Sequence, residues 1–468
     1  MGGRRKTNGG RVTPKVGRSD GRLTPAEKAG LEGVFAKVLD SAPEDLHDDL
    51  PAIAVEMWAS QLWSIWHRSD LVDMDAEAVF AGGLIAHAAG RTTPSALVVL
   101  RGLETVAPEP YRTKARRAAD RLAATGVPEP TWAGIVGRAA PTEAWLSHDP
   151  VDDDGVSIIV GFDGPGGADT VGVYVDHNLG GMAKDVFAVP ADVEELLTEL
   201  SANAEFEGVE YRPIPLTSAA DRWSEALAIT DMTFEPPVDA DVHRLRGLVL
   251  ARLATMPDGG AAPADGEVEV EALAELELEL ELETEMDFDE DERERLLTEF
   301  LESDETVGLW GFADGGEAES TVQHLAVQVM TFSLDYVLGT PLRFSPVMAE
   351  MFCLDWAPRK IAADEEAFTL LPDVLAAWIR FVGRRRGIPE ESIGEAVEAA
   401  YGYAPEMIEM SGDPSYWGPA KTMALAIDDR GIDITDEAAV KEFIDEVNRN
   451  GGIDVLAGSL VGSPRPRR

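Results

Sequence analysis

The sequence predicts a mainly α-helical chain with a central α+β module: an N-terminal helical array, a small and largely antiparallel sheet, and a C-terminal helical domain. Three observations carry this expectation. Apolar residues recur at helical spacing before about residue 140 and again from about 293 to 450, with Pro at helix starts and Gly at helix ends. Between 150 and 257 the pattern changes to short β-branched runs bounded by Gly and Asp. A run of alternating Glu and Leu then separates the two halves.

Residues 1–22 hold seven basic groups and one acid among Gly, Thr and Asn, and read as a disordered basic tail. The helical array is expected over 23–145. Thr24-Pro25-Ala26-Glu27 has the form of a capping box with Pro at the first helical position. Pro51, Pro94 and Pro110 each open an apolar-periodic segment, and Gly90 and Gly126 close two of them. Ile53, Val55, Met57, Trp58, Leu62, Ile65 and Trp66 surround the 51–67 segment, which predicts a central buried helix.

The α+β module is expected over 150–257. Val156–Phe162 and Thr170–Val175 flank the turn cluster Asp163-Gly164-Pro165-Gly166-Gly167, which predicts a hairpin. Lys184–Val189 and Gly208–Ile214 supply two more strands, and helices are expected at about 191–203, 217–230 and 240–255. Residues 258–292 read as an acidic low-complexity linker, with fifteen acids and no base within 265–292. A helix there would set Glu275, Glu279 and Glu283 as like-charged neighbours, and Glu is a poor strand former.

The C-terminal helical domain is expected over 293–452, with helices opening at Ser345-Pro346, Leu371-Pro372, Pro389, Gly418-Pro419 and Thr435. Residues 453–468 form a second basic tail.

The charge balance is extreme: 40 basic against 86 acidic residues, a net −46. Such a field repels phosphate backbones and anionic lipid, so direct nucleic-acid binding and membrane attachment are disfavoured and a protein partner with a basic surface is favoured. The single cysteine, Cys353, excludes an intrachain disulfide and lies in an apolar context that predicts a buried thiol. No apolar stretch reaches the roughly 18 residues of a membrane span, and no signal peptide is evident, so a cytoplasmic address is expected.

The Gly-rich stretch 161–167 leads into a strand and lacks Gly-Lys-Ser/Thr, so it reads as a hairpin turn and not a phosphate loop. No cofactor motif is present and none is expected. One local constellation carries chemistry, Asp176-His177-Asn178-Leu179-Gly180-Gly181-Met182-Ala183-Lys184-Asp185. There Asp176, His177 and Asp185 have the ligand types of a hard divalent ion, His177 those of a carboxylate-oriented general base, and Lys184 those of an anion stabiliser. The competing reading is a hydrogen-bonded turn. Two basic clusters stand out, Arg112/Lys114/Arg116/Arg117/Arg121 and Arg380/Arg384/Arg385/Arg386. The second opposes a helix dipole, or either receives an acidic segment.

The phrases GRTTPSALVVLRGLETVAP, VYVDHNLGGMAKDVF, LRFSPVMAEMFCLDWAPRK and GPAKTMALAIDDRGIDITDEAAV resemble those of a group of uncharacterised proteins from high-GC bacteria, and the excess of Arg over Lys (31 to 9) fits such coding. That resemblance implies a bacterial cytoplasmic protein and carries over no activity. The sequence thus favours a non-catalytic interaction or regulatory protein, with a metal-dependent hydrolase-like enzyme centred on Asp176, His177, Lys184 and Asp185 as the alternative.

Overall fold

The computed structural model describes residues 25–46, 50–64, 76–203, 208–233, 236–257, 288–311, 316–338, 342–432 and 436–449. Both basic tails, the cap residues Thr24 and Thr435, and 258–287 of the acidic insert lie outside the described residues.

Helices α1 (Pro25–Asp45), α2 (Ala52–Ser64), α3 (Ala76–Ala89), α4 (Pro94–Val106) and α5 (Tyr111–Ala124) form the N-terminal array. Their ends follow the sequence punctuation. The Thr93 hydroxyl accepts the Ala96 amide at 3.3 Å ahead of Pro94, and Gly126 takes φ +94° after α5. The array packs around α4, whose Leu97, Val99, Leu100 and Leu103 are wholly enclosed. Helix α2 serves two cores. Leu62 and Trp63 face the array, whereas Ile53 enters the core of the sheet.

The central sheet has five antiparallel strands in the order β4-β3-β2-β1-β5: β1 Ala140–His148, β2 Gly155–Asp163, β3 Asp169–Asp176, β4 Met182–Val189 and β5 Glu210–Ile214. Four of these match the expected strands. Strand β1 does not; its start falls inside the stretch read as helical, yet it lies centrally, paired to both β2 and β5. Its segment Ala-Pro-Thr-Glu-Ala-Trp-Leu-Ser-His has little local strand signal, and a register shift between Pro141 and Glu143 accommodates the proline, which has no amide to donate. Partners on both sides, not local propensity, make it a strand.

Leu146, Ile158, Val173 and Val186 align in register on the inner face, which α7 (Leu216–Met232) and α8 (Ala240–Leu253) cover. There the Trp223 indole donates to the Ile158 carbonyl at 3.1 Å. The outer row is Trp145, Ile159, Gly172 and Phe187, covered in part by α6 (Val193–Ala202). Helix α8 is also fixed to α2: the Ser60 hydroxyl donates to Arg244 O at 2.7 Å and accepts from Leu248 N at 3.0 Å.

The C-terminal domain comprises α9 (Glu290–Leu301), α10 (Gly316–Asp335), α11 (Pro346–Met351), which runs through a wide turn at Phe352–Trp356 into α12 (Ala357–Lys360), then α13 (Glu365–Arg386), α14 (Glu390–Gly412), α15 (Pro419–Asp429) and α16 (Glu437–Arg449). Two boundaries differ from expectation. Helix α9 begins inside the stretch read as linker, because Asp289 and Glu292 form a reciprocal capping box and the first-turn acids suit the helix N-terminus. Helix α13 starts at Asp364, whose carboxylate accepts the Ala367 amide, and carries Pro372 within it. The ladder bond lost at Pro372 is outweighed by burial of Leu370, Leu371, Leu375 and Trp378. Cys353 is fully enclosed, as its apolar context predicts. Among the described residues no helix is long and apolar enough to cross a membrane.

Candidate functional site

The motif singled out from sequence forms the β3–β4 turn. Gly180 (φ +68°) and Gly181 (φ +80°) adopt the left-handed backbone that a side chain would strain. Asp176 closes the turn: its Oδ1 accepts Leu179 N at 3.0 Å and its carbonyl accepts Gly181 N at 2.9 Å. Its Oδ2 accepts from Lys184 Nζ at 2.7 Å, so these two candidates neutralise each other.

His177 reaches instead to the loop that precedes β2. Its Nδ1 lies 3.0 Å from the Asp153 carbonyl and 3.2 Å from Asp153 Oδ1, and that same oxygen lies 3.1 Å from His148 Nε2. Asp153 is almost wholly buried and holds φ +50°, a conformation unusual for a residue with a side chain. Asp149 braces the loop by accepting the Val151 amide at 2.8 Å.

Asn178 turns toward the C-terminal domain and meets the buried Arg343. The Arg343 fork donates to Asn178 Oδ1 at 2.6 Å, to Asp154 Oδ1 at 3.1 Å and to the Leu338 carbonyl at 2.8 Å. Asp154 Oδ1 also accepts from Ser345 Oγ at 2.5 Å and Asn178 Nδ2 at 2.8 Å, while Ser345 caps α11 by accepting Met348 N. The His177 carbonyl accepts the Leu338 amide at 2.9 Å, and Arg386 donates to the Pro150 carbonyl at 3.2 Å. This polar cluster therefore joins the sheet to the C-terminal domain.

The fourth candidate, Asp185, is not part of this cluster. Its Oδ1 accepts the Val186 amide at 2.7 Å beside the register shift at Tyr174/Val175. Burial raises its carboxyl above the usual range, with Asp239 and Asp241 adding and the Val186 amide opposing. Other groups in the cluster are shifted too. Burial pushes Asp152 up to about 6, reinforced by Asp154, Asp149 and Glu395 against Arg343. Burial also lowers the Arg343 guanidinium, with Asp154 and Asp153 opposing.

The structure thus pairs Asp176 with Lys184, links His177 to Asp153 and leaves Asp185 apart. Sequence reasoning missed His148, Asp153, Asp154, Arg343 and Ser345. Two signals were present: the acid run Asp152-Asp153-Asp154 ahead of a strand, and Arg343 as the one charged residue in the segment Pro341–Pro346. Among the described residues no three His, Cys, Asp or Glu groups converge to hold a metal ion. What the arrangement offers chemically is two imidazoles, His148 and His177, held by one buried carboxylate, Asp153, within a network of mutually paired charges.

The two basic clusters differ. At the end of α13, Arg384 pairs with Glu305 at 2.8 Å and Glu390 at 3.0 Å, and Arg385 pairs with Glu299. On α5, Arg112 donates to the Ala107 carbonyl and Lys114 lies over the Tyr111 ring, whereas Arg116, Arg117 and Arg121 are exposed. Compared with known protein families, curated proteins and solved structures, the chain matches none.

Proposed function

We propose that this is a non-catalytic interaction or regulatory protein of the bacterial cytoplasm that engages a partner with a basic surface. One observation supports it above others: the polar side chains best suited to chemistry are bonded to the chain itself. Asp176 holds Lys184, Asp153 holds two imidazoles, and Arg343 and Asp154 hold two domains together. Groups so engaged fix relative position. The net charge of −46 supplies the long-range attraction for a basic partner, and a Debye length of about 8 Å at physiological ionic strength makes that attraction sensitive to salt.

The test is affinity capture from the native host with the full chain and with a variant lacking 262–287, which leaves the capping box of α9 in place, at low and moderate salt. Deletion leaves thermal unfolding unchanged and weakens one specific association in a salt-dependent way. Identical capture profiles would sink the reading.

A second reading rests on His177, whose Nδ1 is oriented by Asp153 as a general base would be. A metal-dependent hydrolase of this design cleaves a generic nitrophenyl ester or phosphate, with Mg²⁺ or Mn²⁺ supplied, and loses that activity on His177→Ala.

A further inference from the structure

A second buried polar group lies at the opposite end of strand β3, where three separate segments meet. Arg252, on α8, lies 2.9 Å from Glu56 of α2 and 2.8 Å from Asp169 at the start of β3, and all three residues are 4 % exposed or less. Its guanidinium also lies over the Phe162 ring at 4.9 Å. Helix α2 belongs both to the N-terminal array and to the core of the sheet, so this contact fastens one to the other.

Two carboxylates share one guanidinium here, which leaves a surplus negative charge away from water. The two acids are not equivalent. Glu56 Oε1 accepts the Gly137 amide at 2.7 Å and Oε2 lies against Arg252 Nη2, so both of its oxygens are engaged. Asp169 Oδ2 accepts from the same Nη2, whereas its Oδ1 is closed off from solvent and has no hydrogen-bond partner among the described residues. The other charged groups around Asp169 add to the surplus. Asp163 ends β2, and Asp192 and Glu195 line the cavity beside it. A buried charge so placed is costly unless a counter-ion or a proton neutralises it. Burial pushes the Asp169 carboxyl up to about 6, with Arg252 opposing and Glu56 and Asp163 adding.

We propose that Asp169 is the proton-binding element of a latch between the N-terminal array and the central sheet, and that the latch tightens on acidification. A proton on Asp169 removes the surplus charge and leaves Arg252 paired with Glu56 across α2 and α8. The carboxyl stands above its ordinary value of 3.8 when the contact is closed, so its charged form opposes closure. That opposition is complete above about pH 6 and is lost as the pH falls toward about 4. The residues involved are separate from the junction cluster, and the latch stands whether or not that cluster takes part in an interaction.

Hydrogen–deuterium exchange of the full chain, read by mass spectrometry in α2 at about pH 5 and about pH 7, tests this. Wild type and Asp169→Asn are compared at the same pH, which cancels the intrinsic pH dependence of exchange and the titration of the other acids. The ratio of wild-type to variant exchange rate in α2 rises about tenfold from the lower pH to the higher, as expected for a carboxyl at about 6 when closed and 3.8 when open. The same ratio stays constant in α13, which packs in the separate C-terminal core. If Asp169→Asn fails to fold, Glu56→Gln decides the matter. That change keeps an acceptor for the Gly137 amide and leaves Asp169 as the sole carboxylate on Arg252, so the ratio again rises with pH. A ratio in α2 that is equal at the two pH values, or one that changes as much in α13 as in α2, overturns the proposal.

Discussion

Replacing Arg343 by Met tests the junction most directly. Methionine keeps the apolar stem and removes the fork, which is 1 % exposed and donates to Asn178, Asp154 and the Leu338 carbonyl. Removing one partner of a buried ion pair costs about 3–5 kcal/mol, because the other charge stays behind. Asp154 keeps its bonds from Ser345 and Asn178, and its side chain is 20 % exposed, so the lower end applies, about 3 kcal/mol. Asp154→Asn in the same background recovers part of that loss, giving a coupling of about 1–3 kcal/mol in a double-mutant cycle. Urea unfolding followed by tryptophan fluorescence and circular dichroism measures both. Because the fork joins the sheet to the C-terminal domain, Arg343→Met also separates unfolding into two transitions. A single transition within about 0.5 kcal/mol of wild type, the usual scatter of a surface change, would refute a structural role for this residue.

Three other outcomes follow from the geometry. Asp152→Asn stabilises the protein above pH 6 and has little effect below pH 4; the carboxyl is raised on folding to about 6, so its charged form opposes folding, and that opposition vanishes as the group is protonated in both states. Unfolding midpoints of the two proteins across pH 4–8 measure the difference, and a constant difference would contradict the assignment. Cys353, fully buried with its thiol pushed up to about 12 by burial, stays unreactive toward Ellman's reagent in the native protein and reacts fully in denaturant. Gly155→Ala destabilises by about 1–3 kcal/mol in the same urea assay, since its Cβ would lie 2.4 Å from the Val175 carbonyl and 2.6 Å from the Tyr174 ring.

Local signals settled much of the architecture. Pro94 behind Thr93, Pro346 behind Ser345 and Pro419 behind Gly418 open helices where the sequence places them, because capping and the fixed φ of proline act within one turn. The hairpin around Gly164–Gly167 and the double-glycine turn at Gly180-Gly181 were legible for the same reason. So was the burial of Cys353, which its immediate neighbours dictate. Strand β1 was not legible, since its conformation depends on partners at both edges, and neither was the early start of α13, where a buried face overrides an internal proline. Within the candidate site, the sequence supplied Asp176, His177 and Lys184 as neighbours but could not say which groups they meet. Asp176 finds Lys184 inside its own turn, a local event. His177 finds Asp153 through strand pairing, and Asn178 finds Arg343 across 165 residues of chain. Chain-local forces act over a few residues, whereas the neutralisation of buried charge is decided by which distant segments the core brings together, and tertiary structure alone sets that.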